Sequence, residues 1–199
     1  MNWTMGDADG SAALFARFQV DMTRKYGEGG YGATYAVRDL QPTTGALADV
    51  AVKIVDTKRM RLDALRAECQ ILEQLEHPNV VSIFGHGHGP AGQAHLYFIF
   101  MECASGGELF DQVIDRAPQA MPEDVAHGFF VQLLAGVAHC HARGVAHRDL
   151  KLENVLLSKA GQVKVIDFGL SHVYQRDANG QLDRSTPLKR LVGSKSYVR

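Results

Sequence analysis

His147-Arg148-Asp149-Leu150-Lys151-Leu152-Glu153-Asn154, followed by Asp167-Phe168-Gly169, decides how this 199-residue chain is read. Asn154 lies five residues after Asp149, and Asp167 lies thirteen after Asn154. Residues 154–157 and 163–166 are short β-type runs, and Lys159-Ala160-Gly161-Gln162 between them is a hairpin signal. Two short connections therefore bring together a carboxylate that can accept a hydroxyl proton, an amide oxygen and a second carboxylate. These are the groups needed to place a hydroxyl and two magnesium ions around a triphosphate.

Upstream, residues 108–116 and 122–143 read as helices. Pro122 opens the longer one, Gly144 ends it, and apolar residues at 126, 129, 130, 133, 134 and 137 give it a buried face. Earlier still the pattern changes. Residues 18–37 read as strand, glycine turn, strand, and 50–55 as a short strand. Met60 to Glu76 is a helical stripe stopped by His77-Pro78-Asn79, and 80–84 and 95–100 are strands. Residues 1–17 read as a loose lead-in, and Pro42-Thr43-Thr44-Gly45 as a turn.

Gly27-Glu28-Gly29-Gly30-Tyr31-Gly32 has the spacing of a glycine loop whose amides approach phosphate oxygens without a Cβ in the way. The same residues also suit an ordinary hairpin turn. A second strand follows rather than a helix, which argues against a dinucleotide-binding turn. That strand leads to Ala51-Val52-Lys53. A lysine in an apolar strand needs a counter-charge if it is buried, and Glu68 on the next helix, between Leu65 and Leu72, is placed to supply one. A lone Glu is more commonly a solvated helix charge.

Taken together these motifs resemble the eukaryotic protein kinases, from about Phe18 to the last residue. Ser105-Gly106-Gly107-Glu108-Leu109-Phe110-Asp111, Met121-Pro122-Glu123 and the run 129–137 look like the DNA-damage checkpoint kinase. The stretch 147–154 also looks like the plant calcineurin-B-like-interacting kinases and the energy-sensing kinases, within the calcium/calmodulin-dependent-like group. The resemblance implies an α+β, bilobal fold. Residues 18–100 would be a β-rich N-lobe with one helix, 101–106 a hinge, and 107–199 a truncated, mainly helical C-lobe with catalytic loop and activation segment. It implies ATP and Mg2+ as cofactors and Ser/Thr hydroxyls of proteins as acceptors. Asp149 would orient the hydroxyl, and Lys151, the serine/threonine-type residue, would steady the phosphoryl group. Asn154 and Asp167 would hold metal, with Lys53 and Glu68 forming the phosphate-binding pair. Nucleotide contacts would come from Tyr26, residues Gly27 to Gly32, Thr34, Ala51, Met101 as gatekeeper, the backbone at Glu102 and Cys103, Glu108 at the ribose, and Leu156. Arg148 suggests an activation loop tied down by phosphate, with Ser185 and Thr186 beside Pro187 as candidate sites.

Tyr26 departs from the family, which usually carries an apolar residue there, and Thr34 stands where a valine roofs the adenine. The chain stops at Arg199 where Ala-Pro-Glu is expected, so the sequence reads as a fragment of a longer kinase. The alternative is an inactive nucleotide-binding or partner-binding module. Either way the 122–143 helix is expected to show uncovered apolar residues, and the isolated chain little activity.

Composition adds exclusions. A net charge of -1 gives no electrostatic pointer to nucleic acid. The apolar run Leu96 to Met101 is too short for a bilayer, so no membrane is expected. Cys69, Cys103 and Cys140 are scattered without a CxxC pair, which fits a reducing, intracellular setting, cytoplasmic or nuclear. The histidine pairs 86/88 and 139/141 lack a third ligand at metal spacing.

Overall fold

The computed structural model describes residues 8–41, 49–115, 120–177, 179–183, 188 and 192–197. The chain divides into two compact units. One comprises residues up to Cys69 with Ser82–Cys103, and the other Gln70–Val81 with the residues from Ala104 on.

The first unit is a five-stranded antiparallel sheet. Its strands are β1 (Phe18–Gly29), β2 (Gly32–Asp39), β3 (Val50–Asp56), β4 (Ile83–His88) and β5 (Leu96–Glu102), in the order β1-β2-β3-β5-β4. The two central strands are nearly continuous in β-branched and aromatic residues because both of their faces are covered. On one face Val50, Val52, Ile54, Phe98 and Phe100 pack with Leu14 and Phe18. On the other, Val55, Tyr97 and Ile99 pack with Leu65 and Cys69 of α2 (Leu62–Glu73). Strand periodicity therefore sends Lys53, in phase with Val55, to the α2 face.

The lead-in expected at 1–17 is corrected by the structure. Ala8–Arg17 forms a helix, α1, so this unit holds two helices rather than one. Leu14 is 5% exposed, and Phe15 lies edge-on to Phe98, with ring centroids 4.9 Å apart. Strand β4 makes room for it. A Cβ on Gly85 would sit 2.7 Å from Leu14 Cδ2. Arg17 closes the helix with a two-pronged bond to Asp39, Nη2 to Oδ2 at 2.8 Å and Nε to Oδ1 at 3.1 Å.

The second unit contains α3 (Leu109–Ile114), α4 (Glu123–Ala142), the short strands β6 (Val145–Ala146), β7 (Val155–Leu157), β8 (Val163–Val165) and β9 (His172–Val173), and a 3-10 turn at Leu152–Asn154. β7 pairs with β8 as the hairpin signal predicts, and β6 with β9. Leu109, Val155, Leu157 and Val163 form its core, with Phe129 and Leu133 of α4 against them.

Residues 70–81 group with this unit. The amide of Val81 donates to Val165 O at 3.0 Å and that of Val165 to Asn79 O at 2.9 Å. The buried side chain of Asn79 donates to Val163 O and to Gln132 Oε1 of α4. Gln132 Oε1 also accepts from the amide of Val163.

α4 is the one helix among the described residues long and apolar enough, by length and composition, to cross a membrane. Its inner face is nevertheless committed to the core through Phe129, Leu133 and Gln132. The expected buried face is only half realised, since Phe130 is 57% and Leu134 49% exposed.

Candidate active site

Two groups of functional side chains stand out, one in each unit. In the first, Lys53 Nζ lies 3.1 Å from Glu68 Oε1. The strand phase and the helical spacing of Leu65, Glu68 and Cys69 aim both groups at the same α2–sheet layer. Glu68 is only 5% exposed and its second oxygen has no hydrogen-bond partner, so removing Lys53 would leave a buried, uncompensated carboxylate. Thr34 lies opposite Lys53 and Ala36 opposite Ala51, so these four residues share the face.

The glycine loop is a two-residue hairpin, with Gly29 paired to Gly32 across Gly30-Tyr31. Its glycines do different things. A Cβ on Gly32 would lie 2.0 Å from Ile54 O, so that residue is glycine because β3 passes close by. Gly27 and Gly30 face open space, where bare backbone leaves room for a ligand.

The second group is built on 147–154. His147 is buried. Its Nδ1 accepts the Asp149 amide at 3.2 Å, which leaves Nε2 to donate to Ile166 O at 2.9 Å. The ring also meets Phe168 edge-on at 4.7 Å. Burial holds the His147 pKa below its ordinary value, so the histidine is a neutral packing piece. Asn154 donates through Nδ2 to Asp149 O at 2.9 Å and to Asp149 Oδ2 at 3.1 Å. Both amide hydrogens are thereby used on Asp149, and the amide oxygen is left as the coordinating atom.

Lys151 Nζ stands 3.2 Å from Asp149 Oδ2. Between the two charges lies a hydroxyl. Ser194 Oγ donates to Asp149 Oδ1 at 2.9 Å and receives a bond from Lys151 Nζ at 2.7 Å, while the Ser194 amide also donates to Asp149 Oδ1. Burial pulls the Asp149 pKa up, but the bonds from Ser194 and Lys151 outweigh it and hold the carboxyl below its ordinary value. Asp167 is exposed at φ 62°, a conformation unusual for a side chain with a Cβ. Arg148 shares that strain at φ 66°.

Residues 20–199 match the protein kinase domain family. The chain belongs to that family. It is 39% identical over 183 residues to CBL-interacting protein kinase 16 of Oryza sativa subsp. japonica, covering 89% of this chain and 37% of the relative. It is likewise 39% identical over 191 residues to CBL-interacting serine/threonine-protein kinase 12 of Arabidopsis thaliana, covering 94% of this chain and 35% of the relative. The chain thus spans little more than a third of the length of these relatives.

The remaining expected residues of the kinase domain fall as follows. Glu108 precedes α3 and forms a bridge with Leu156, so these two are brought together. Met101 packs on the α2 face of the sheet. The amide of Cys103 donates to Asp49 O at 2.6 Å.

Arg148 Nε bonds Leu170 O at 2.7 Å. Ser185, Thr186 and Pro187 lie outside the described residues. His172 and Val173 pair as β9 with β6, and an Arg176–Leu182 bridge follows. Asp177 Oδ1 accepts the amides of Asn179 and Gln181.

The residue missed in the sequence is Ser194. Its signal was a hydroxyl directly after Gly193, in a stretch whose position beside Asp149 only the fold reveals.

Proposed function

We propose that this kinase domain transfers the γ-phosphoryl group of ATP to Ser or Thr hydroxyls of proteins. The observation that carries the reading is the hydroxyl held between Asp149 and Lys151. A carboxylate that accepts an alcohol proton and an ammonium that donates to the same oxygen are the groups such a transfer requires. Asn154 fixes the rotamer of Asp149 through two bonds, and His147 fixes its backbone. Lys151, beside Asp149, would steady the negative charge of a transferred phosphoryl, and Lys53, braced by Glu68, would hold the phosphates that stay behind.

The donor set also fits magnesium. The Asn154 amide oxygen and the Asp167 carboxylate are hard oxygens, and among the described residues no group of three His, Cys, Asp or Glu forms a dedicated metal cage. Few protein ligands with the remainder from phosphate oxygens and water is the usual magnesium arrangement. Asn154 and Asp167 would hold the ion, which supplies charge neutralisation on the phosphate oxygens.

The test is transfer of label from γ-labelled ATP to a Ser/Thr/Tyr peptide library. Asp149→Asn should lower the rate by about 100- to 10,000-fold, the usual span for a lost proton acceptor. Label confined to tyrosine, or an unchanged rate in Asp149→Asn, would reject the proposal.

A further inference from the structure

Gly193-Ser194-Lys195-Ser196-Tyr197 is a polar stretch whose last three residues are exposed, yet its backbone is held at several points. Gly193 has φ 112°, a conformation that residues with a Cβ rarely adopt. The Tyr197 amide donates to Ser194 O at 2.9 Å and closes a turn. The Tyr197 hydroxyl donates to Glu153 Oε2 at 3.4 Å, on the turn between Asp149 and Asn154.

That frame delivers one side chain. Ser194 Oγ donates its proton to Asp149 Oδ1 at 2.9 Å and accepts from Lys151 Nζ at 2.7 Å. The Ser194 amide donates to the same carboxylate oxygen at 2.7 Å, so the backbone is fixed along with the side chain. A hydroxyl carries one proton and two lone pairs. Asp149 takes the proton and Lys151 one lone pair, which leaves the second lone pair to attack. A base on the proton and a cation on the oxygen are what an alcohol needs at the moment it is phosphorylated.

We propose that Ser194 is itself a phosphoryl acceptor, modified by the Asp149 of its own chain, and that the phosphoserine then closes the site to other hydroxyls. The proposal rests on the phosphoryl-transfer reading above. In the step, Ser194 Oγ bonds to the γ-phosphorus of ATP while the bond from that phosphorus to the oxygen bridging it to the β-phosphate breaks. ADP leaves with the electron pair, and the hydroxyl proton passes to Asp149 Oδ1. The product sets a phosphate of about two negative charges beside Asp149 and Lys151. It pairs with the ammonium and fills the place a second hydroxyl would take.

The experiment incubates the 199-residue chain with γ-labelled ATP and magnesium, without peptide, and locates phosphate by peptide mass spectrometry. Ser194 should be modified to near completion. Diluting the protein about tenfold should leave the rate constant unchanged, as for a step within one chain. An isotopically heavy Asp149→Asn chain mixed with the wild type should stay unmodified at Ser194. Ser194→Thr, which keeps the hydroxyl, should be modified at position 194, and Ser194→Ala should not. Transfer to the Ser/Thr/Tyr peptide library should be lost as Ser194 fills. If peptide is labelled and Ser194 is not, the inference is overturned and the transfer reading stands. A heavy chain modified as fast as the wild type also overturns it, because the step then runs between chains. Peptide transfer undiminished by a filled Ser194 overturns the closure. If neither peptide nor Ser194 is labelled, the transfer reading fails and this inference with it.

Discussion

The sheet of the first unit and helix α4 of the second bury their apolar residues very differently. Phe100 is 0% exposed, packed with Leu14, Phe18 and Phe98 on the face of the sheet that α1 covers. Phe130, at 57%, is apolar and wet. In the first unit dispersion and area hold the site, and Lys53 gains its position from the phase of a rigid strand. In the second, backbone-directed hydrogen bonds do more of the positioning. Asn79 and Gln132 tie α4 to β8, and His147 and Asn154 fix Asp149. The difference separates stability from placement. Buried area holds the strands together without specifying a rotamer, whereas a few directed bonds set the geometry of a carboxylate even where apolar cover is thin.

The comparison can be broken by truncation. Phe100→Ala should cost about 3–5 kcal/mol, because it empties a site between Phe15, Phe18 and Phe98. Denaturant titration would measure it, and a loss below about 1 kcal/mol would show that the first unit is not held by its core. Asn79→Ala should cost about 1–3 kcal/mol, since it leaves the buried Val163 carbonyl without its side-chain donor. Hydrogen exchange at Val163 and Val165 would rise if the bonds are what join 70–81 to the hairpin.

Acid sharpens the contrast further. Burial holds both His139 and His147 below their ordinary pKa, and the His139 ring lies tilted against that of His77 with its Nε2 buried and unpartnered. Groups that stay neutral in the folded state favour it fully above pH 6.5, the ordinary histidine value, and that contribution is lost as pH falls below 6.5 toward the depressed folded values. Melting should therefore decline between about pH 7 and pH 5, with the loss reported first by probes in the second unit. A flat profile would mean that the histidines are solvated. The smallest effect belongs to Phe130→Gln, expected within about 0.5 kcal/mol of the wild type, as for exposed substitutions generally. A loss near that of Phe100→Ala would place Phe130 in a buried contact.

The sequence by itself determined most of the site. The pairing of Lys53 with Glu68 follows from an apolar strand, a helical stripe and the cost of an isolated buried charge. The closeness of Asp149 and Asn154 follows from five residues of separation. The β7–β8 hairpin was equally local.

Only the tertiary structure decided the rest, and each case depends on contacts distant in sequence. Residues 8–17 carry a short apolar pattern that says nothing until Leu14 meets Gly85 on a strand some seventy residues away. Asn79 belongs with β8 through a bond spanning 84 residues, and Ser194 reaches Asp149 across 45. Local spacing fixes which side chains share a turn of helix or a face of a strand. Which faces meet is set by burial of the whole chain, and no window of sequence contains that information.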